Sequence, residues 1–122
     1  MKTNKFTIKA RLLSFRFAGE GVFFFFRYEH NAWIHFVATV GVLIAGWFFQ
    51  LAAIEWIAII FAIGLVIVTE IINTSIEKIM DHLSPEKHPA VKVVKDLASA
   101  AVLVAALIAL IVGLIIFIPK LA

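Results

Sequence analysis

The sequence contains no cysteine, which excludes disulfides and thiolate-ligated metals and leaves the redox compartment unmarked by thiols. Charge is also scarce. Charged residues make up 16% of the 122 positions, too few to coat a soluble surface. Only three prolines and six glycines are present, and no linker, low-complexity tract or internal repeat divides the chain, so residues 1–122 read as one domain. What fills the sequence instead is apolar. A hydrophobic content of 63% and a mean hydropathy of +1.05 require lipid as the solvent for most of the chain. The net charge of +3 comes mainly from Lys and Arg near the N-terminus, which suits an anionic membrane surface and makes nucleic acid a poor partner.

Taking about 20 apolar residues as one span, the chain predicts three transmembrane helices. The first runs from Ala32 to about Ala53, broken only by His35, Thr39 and Gln50. The second, about 54–83, is apolar from Trp56 to Val68 and continues helically through Glu70, Asn73, Glu77 and Asp81 to a stop at Ser84-Pro85. The third runs from Leu97 to Ile118, with Pro119 marking its end. Before them, Met1 to Tyr28 is interrupted by Lys9, Arg11, Arg16, Glu20 and Arg27, so it reads as mature protein rather than as a cleaved leader. Within it, Lys5 to Tyr28 predicts an amphipathic surface helix. Lys5, Lys9, Arg16, Glu20 and Arg27 share a stripe about 60° wide at ~100° per residue, and the remainder is rich in Phe, Leu and Ala. A partly disordered basic tail is the alternative.

Lys2, Lys5, Lys9, Arg11, Arg16 and Arg27 precede the first span, and Lys78, Lys87, Lys92 and Lys95 lie at the connection between the second and third. The positive-inside rule puts both regions in the cytoplasm and Lys120 outside. In the third span Ala101, Ala105, Ala109 and Gly113 recur every four residues, a small-residue stripe suited to close helix packing.

A carboxylate inside a span is costly, which makes Glu70 the most informative residue. If the second span enters near Trp56, Glu70 lies roughly 21 Å in and Glu77 roughly 31 Å in, for a core ~30 Å thick. Glu70, Asn73, Glu77 and Asp81 share one helix face and form a polar strip leaving the membrane. Glu29, Lys95 and Asp96 belong to the same level. Glu29 and Glu77 are hard oxygen ligands of the kind Mg²⁺ accepts. Glu70 is placed to act as base toward a hydroxyl delivered from the bilayer, and Lys95 to meet a phosphate. Metal, base and cation beside a membrane suggest phosphoryl transfer to a lipid alcohol. The rival reading is a non-catalytic membrane subunit whose polar layer only fixes oligomer packing. Soluble nucleotide signatures are missing: Gly41 and Gly46 have the phosphate-loop separation but are followed by Trp47 and Phe48. His30, His35, His82 and His88 lack metal-ligand spacing and read as interfacial residues.

The run Glu70-Ile71-Ile72-Asn73-Thr74-Ser75-Ile76-Glu77, then Asp81, then Lys95-Asp96-Leu97-Ala98-Ser99-Ala100-Ala101-Val102 resembles the signature of the small prokaryotic diacylglycerol kinases, a family that includes the undecaprenol kinases. The resemblance extends from about Phe15 to Lys120. It implies a homotrimeric helical bundle, with three spans and a surface helix per chain, that uses ATP and Mg²⁺ to phosphorylate a lipid hydroxyl at the cytoplasmic membrane. It further implies Glu70 as general base, Glu29 and Glu77 as metal ligands, and Asn73, Asp81, Lys95 and Asp96 as nucleotide and phosphate contacts. Ala18-Gly19-Glu20-Gly21 departs from the more basic pattern of the family's surface helix, although Gly21 fits it. Glu29-His30-Asn31, Ile34-His35, the connection Ser84-Pro85-Glu86-Lys87-His88-Pro89 and the ending Ile118-Pro119-Lys120 look like the undecaprenol kinase branch, with diacylglycerol as the other candidate lipid.

Overall fold

The computed structural model describes residues 5–84, 86 and 88–122. Lys2, Pro85 and Lys87, used above for charge and helix ends, lie outside the described residues. Four α-helices follow in order, α1 (Ile8–Tyr28), α2 (His30–Phe48), α3 (Ala53–Leu83) and α4 (Pro89–Leu121), and the last three are long and apolar enough to cross a membrane.

Each boundary has a local cause. Thr7 is extended, and its hydroxyl accepts the Ala10 N–H at 3.0 Å, so α1 starts at Ile8 and Lys5 falls off the basic stripe expected to begin with it. α1 and α2 are separated by Glu29 alone, whose φ of −100° and ψ of 122° break the helix. Glu29 therefore occupies an elbow. The α2 end falls at Phe48, several residues before the apolar run stops. Gln50 adopts a left-handed conformation (φ 53°), its N–H reaches the Trp47 carbonyl and the Leu51 N–H reaches that of Gly46, both at 3.2 Å. This is a Schellman closure with Gln where Gly is usual, and hydropathy alone does not register it. α3 is 31 residues long and α4 33, so at ~1.5 Å per residue both exceed a ~30 Å hydrocarbon layer and must project beyond it. α4 starts at Pro89, eight residues before the expected Leu97. Pro89 suits a first helical position, and His88 Nδ1 accepts the Ala90 N–H at 3.1 Å. Apolarity marks where lipid begins, whereas caps mark where the helix begins. Pro119 lies inside the last turn of α4 rather than ending it, and forgoes the N–H bond to the Ile115 carbonyl there.

α3 and α4 form the principal antiparallel pair. Ile59, Ala62, Val66, Glu70 and Asn73 are the buried residues of α3, and Ala98, Ala105 and Ile116 those of α4, with Val102, Ala109 and Val112 half-buried between them. Spacings of three and four residues are those of helices crossing at a shallow left-handed angle. The row Ala101, Ala105, Ala109 and Gly113 does not form this seam. A strict four-residue repeat drifts about 40° per step, and here Ala105 is buried, Ala101 is exposed, and a Cβ added at Gly113 would meet no atom within 4 Å. α2 joins α3 through a close approach at the far end, where a Cβ added at Gly46 would lie 2.6 Å from Trp56 Cη2.

Two ion pairs fix the ends of the α3–α4 pair. Lys120 Nζ lies 3.1 Å from Glu55 Oε1 at the end shared with the α2–α3 turn, and Lys95 pairs with Asp81 at the other. Little of the chain is covered by itself. Its accessible surface of 9622 Å² compares with about 6,600 Å² for a compact soluble chain of this mass, and Phe15, Trp33, Ile44, Phe61 and Leu110 are among many large apolar side chains exposed. Lipid, or lipid together with other chains, must cover them. The protein is a multi-pass membrane protein.

Candidate functional site

The polar strip of α3 is a consequence of where its side chains find partners. Thr69 and Ser75 satisfy their hydroxyls on their own helix, Thr69 at the Leu65 and Val66 carbonyls (2.9 Å each) and Ser75 at the Ile71 carbonyl (3.0 Å). A carboxylate has no proton to give in this way. Glu70, 6% exposed, meets His35 of α2 instead, with Nε2 to Oε1 at 3.0 Å. A buried acid in hydrocarbon is strongly disfavoured without such a partner.

One turn further, Asn73 Nδ2 donates to Glu77 Oε1 at 3.2 Å. Asn73 Oδ1 is buried with no hydrogen-bond partner. An orphaned amide oxygen costs about 1–3 kcal/mol, and it stands beside a carboxylate whose recorded partner is that same amide. Glu29, at the elbow, lies 3.5 Å from Lys78 Nζ, and Lys78 also sits over the Phe24 ring at 5.7 Å. The elbow is thus docked onto α3 beside Glu77. Buried Phe25 and Ala32 hold it from either side.

Beyond Glu77 the strip opens into a cleft of about 570 Å³ at the projecting ends of α3 and α4, lined by Asp81, Ser84, Glu86, His88, Lys92, Lys95 and Asp96 among others. Asp81 pairs with Lys95 across the helices, while Asp96 pairs with Lys92 on its own helix. On the membrane side of His35 a smaller crevice of about 200 Å³ lies between α2, α3 and α4, lined by Ala38, Val42, Ile63, Val66, Ala106 and Ala109. A cleft bordered by charged side chains and an apolar crevice therefore flank the strip at its two ends.

Of the residues singled out from sequence, Asn73 and Glu77 touch each other, as do Asp81 and Lys95. Glu29 meets Lys78 rather than Glu77, and Asp96 turns to Lys92. Among the described residues no three acidic or His side chains converge closely enough to hold a metal by themselves. The donor chemistry nonetheless suits Mg²⁺: the Glu77 carboxylate and the unpartnered Asn73 oxygen are hard ligands one turn apart, although the amide here turns its nitrogen to Glu77. His35 and Lys78 were missed by sequence reasoning. The available signal for His35 was depth: it follows the start of the first span by a few residues, at the level where Glu70 enters from the opposite direction.

Residues 16–117 match the family described as prokaryotic diacylglycerol kinase. The chain is 43% identical over 108 residues to an undecaprenol kinase from Bacillus subtilis, covering 88% of each chain. It is 36% identical over 111 residues to a diacylglycerol kinase from Synechocystis sp., covering 90% of this chain and 63% of that protein. Over 72 residues it is 38% identical to the diacylglycerol kinase of Escherichia coli strain K12, covering 59% and 58%.

Proposed function

The chain belongs to the prokaryotic diacylglycerol kinase family, and from that premise we propose that this lipid kinase transfers the terminal phosphoryl group of ATP to the hydroxyl of a membrane alcohol at the cytoplasmic face. Undecaprenol is the proposed acceptor and diacylglycerol the alternative. The observation that carries the reading is the α3 strip, which begins at a buried carboxylate beside an apolar crevice and ends in a cation-bearing cleft. A hydroxyl on a hydrocarbon chain and a soluble polyphosphate are substrates that must meet between such surroundings.

In this reading Glu70 accepts the proton of the lipid hydroxyl as its oxygen attacks phosphorus, and the bond from phosphorus to the leaving diphosphate breaks. Asp81, Lys95 and Asp96 position the nucleotide in the cleft, with Lys95 neutralising phosphate charge. Glu77 would hold Mg²⁺ from α3, joined by Asn73 Oδ1 once the amide turns its oxygen toward Glu77, and Glu29 would reach the same level from the elbow by exchanging Lys78 for the cation. Bound Mg²⁺ supplies charge neutralisation for the phosphate oxygens. α1 lies in the headgroup layer, its basic side chains toward water and anionic lipid. The Lys and Arg distribution supports a cytoplasmic N-terminus and active end, and a homotrimer, which the family resemblance implies, would cover part of the exposed apolar surface.

The test is direct. Purified protein in mixed micelles, given ATP, Mg²⁺ and either undecaprenol or diacylglycerol, should phosphorylate lipid, undecaprenol the faster. Glu70→Gln should lower both reactions ~10²-fold or more. No lipid phosphorylation with either alcohol would leave the non-catalytic reading in place.

A further inference from the structure

Glu70 has two carboxylate oxygens, and the structure occupies one. Oε1 is joined to His35 Nε2 at 3.0 Å, while Oε2 has no side-chain partner among the described residues. With Glu70 ionised, the bond needs the proton on Nε2, so the imidazole is the donor and the carboxylate the acceptor. His35 is 22% exposed and Glu70 6%. The rest of the α2 face lining the crevice is Ala38, Thr39 and Val42, which offers the carboxylate no alternative cation. A carboxylate held at one oxygen has lost its freedom to rotate and presents the other in a fixed direction.

We infer that His35 is a positioning residue for phosphoryl transfer: it anchors Glu70 Oε1 from the neighbouring helix so that Oε2 faces the acceptor hydroxyl. The inference rests on Glu70 being the base. A mobile carboxylate at the membrane edge would spend much of its time turned toward water or Asn73, whereas an anchored one is organised before the substrate arrives. The role is expressed in the chemical step and leaves nucleotide affinity alone, because the cleft of Asp81 and Lys95 lies several turns away along α3. A bridge that merely stabilised the helix pair would behave differently. Removing one partner of a buried pair costs stability whatever its role, so only a loss confined to kcat in folded protein marks positioning.

The experiment compares five proteins in the same micelles, with helicity and oligomeric state measured for each: wild type, His35→Leu, His35→Gln, Glu70→Gln and the double variant Glu70→Gln with His35→Leu. Replacing His35 by Leu is expected to lower kcat ~10-fold or more at unchanged KM for Mg-ATP, and His35→Gln, whose amide nitrogen can donate from nearly the same place, to recover to within ~5-fold of wild type. Adding His35→Leu to Glu70→Gln should cause no further loss, since a residue that acts only through Glu70 has nothing left to act on. Equal activity of His35→Leu and wild type overturns the inference, as does a multiplicative loss in the double variant. If Glu70→Gln itself is fully active, it is the base assignment that fails. A His35→Leu protein that does not fold leaves the Gln variant decisive: wild-type-like folding with activity no better than ~1% of wild type would also overturn the positioning role.

Discussion

His35 Nε2 and Glu70 Oε1 lie 3.0 Å apart although 35 positions separate them in sequence, and this bond ties α2 to the one carboxylate buried within α3. Glu70→Gln tests what the arrangement is for. The amide keeps the shape and can still bond to His35, but it cannot take a proton. Lipid phosphorylation should fall ~10²-fold or more, while helicity by circular dichroism and the assembly state stay as in wild type. Full activity would remove Glu70 from the chemistry.

The metal reading predicts a different signature at the next turn. Glu77→Gln removes one hard ligand and leaves Asn73 Oδ1 without a companion, so the Mg²⁺ concentration for half-maximal activity should rise ~10-fold or more. Asn73→Leu should do the same while raising stability slightly, because it removes the unpartnered buried oxygen and its cost of about 1–3 kcal/mol. An unchanged Mg²⁺ requirement in both variants would mark this pair as structural.

How much of this was legible in the sequence depends on the kind of signal. Helices and membrane spans follow from apolar runs, because lipid leaves no other way to satisfy the backbone, and the α3 strip follows from helical periodicity. Cap chemistry carries the boundaries, and it is weaker: His88 with Pro89 extends α4 back over Lys92, Lys95 and Asp96, which hydropathy had left outside the helix. Partner choice was legible only within a helix. Lys92 and Asp96 stand four apart and pair once α4 extends back over them, whereas nothing in spacing tells Glu29 to meet Lys78, which depends on the angle of the elbow. His35 has no metal-ligand spacing, and only its depth relative to Glu70 marks it in the sequence.

Lys95 and Asp81 separate binding from stability. The pair is exposed enough, at 36% and 64%, that its loss should cost no more than about 1 kcal/mol. Lys95→Met is therefore expected to unfold within a few degrees of wild type but to raise KM for ATP ~10-fold or more. Reversing both charges, Asp81→Lys with Lys95→Asp, should restore the helix contact and leave ATP binding impaired. Recovery of ATP affinity in the reversed pair would show that the cleft reads only the bridge.

At the opposite end two substitutions should shift stability in opposite directions. A Cβ at position 46 would sit 2.6 Å from Trp56 Cη2 and 3.1 Å from Leu51 Cδ1, so Gly46→Ala must push the indole aside, at a cost of about 1–3 kcal/mol. Gln50 holds a left-handed conformation with φ of 53°, and Gln50→Gly should relieve roughly 1 kcal/mol of that strain. Thermal unfolding in detergent checks both. Neither site is near the polar strip, so specific activity of the folded protein should be unchanged.

The last prediction concerns assembly. Glu29 is at the elbow, Glu70 and Glu77 are on α3, and Lys95 is in the second turn of α4, and a strip joining them needs shielding from lipid on every side. One chain does not supply it: Ile72, Ile79 and Leu97 near the strip are exposed, as is the Ala101 end of the small-residue row. A homotrimer would cover these faces and allow Glu29 of one chain to serve the strip of the next. Glu29→Gln chains and Glu70→Gln chains should each be inactive alone. When co-expressed and purified as mixed trimers, they should regain measurable activity if the two carboxylates of one site come from different chains, because some interfaces then carry both. If one chain supplies both carboxylates, the Glu29–Lys78 contact within the chain already describes their working relation, and no mixture recovers. Mass measurement of the detergent-solubilised complex decides the trimer itself, and a monomer with full lipid kinase activity would exclude shared sites.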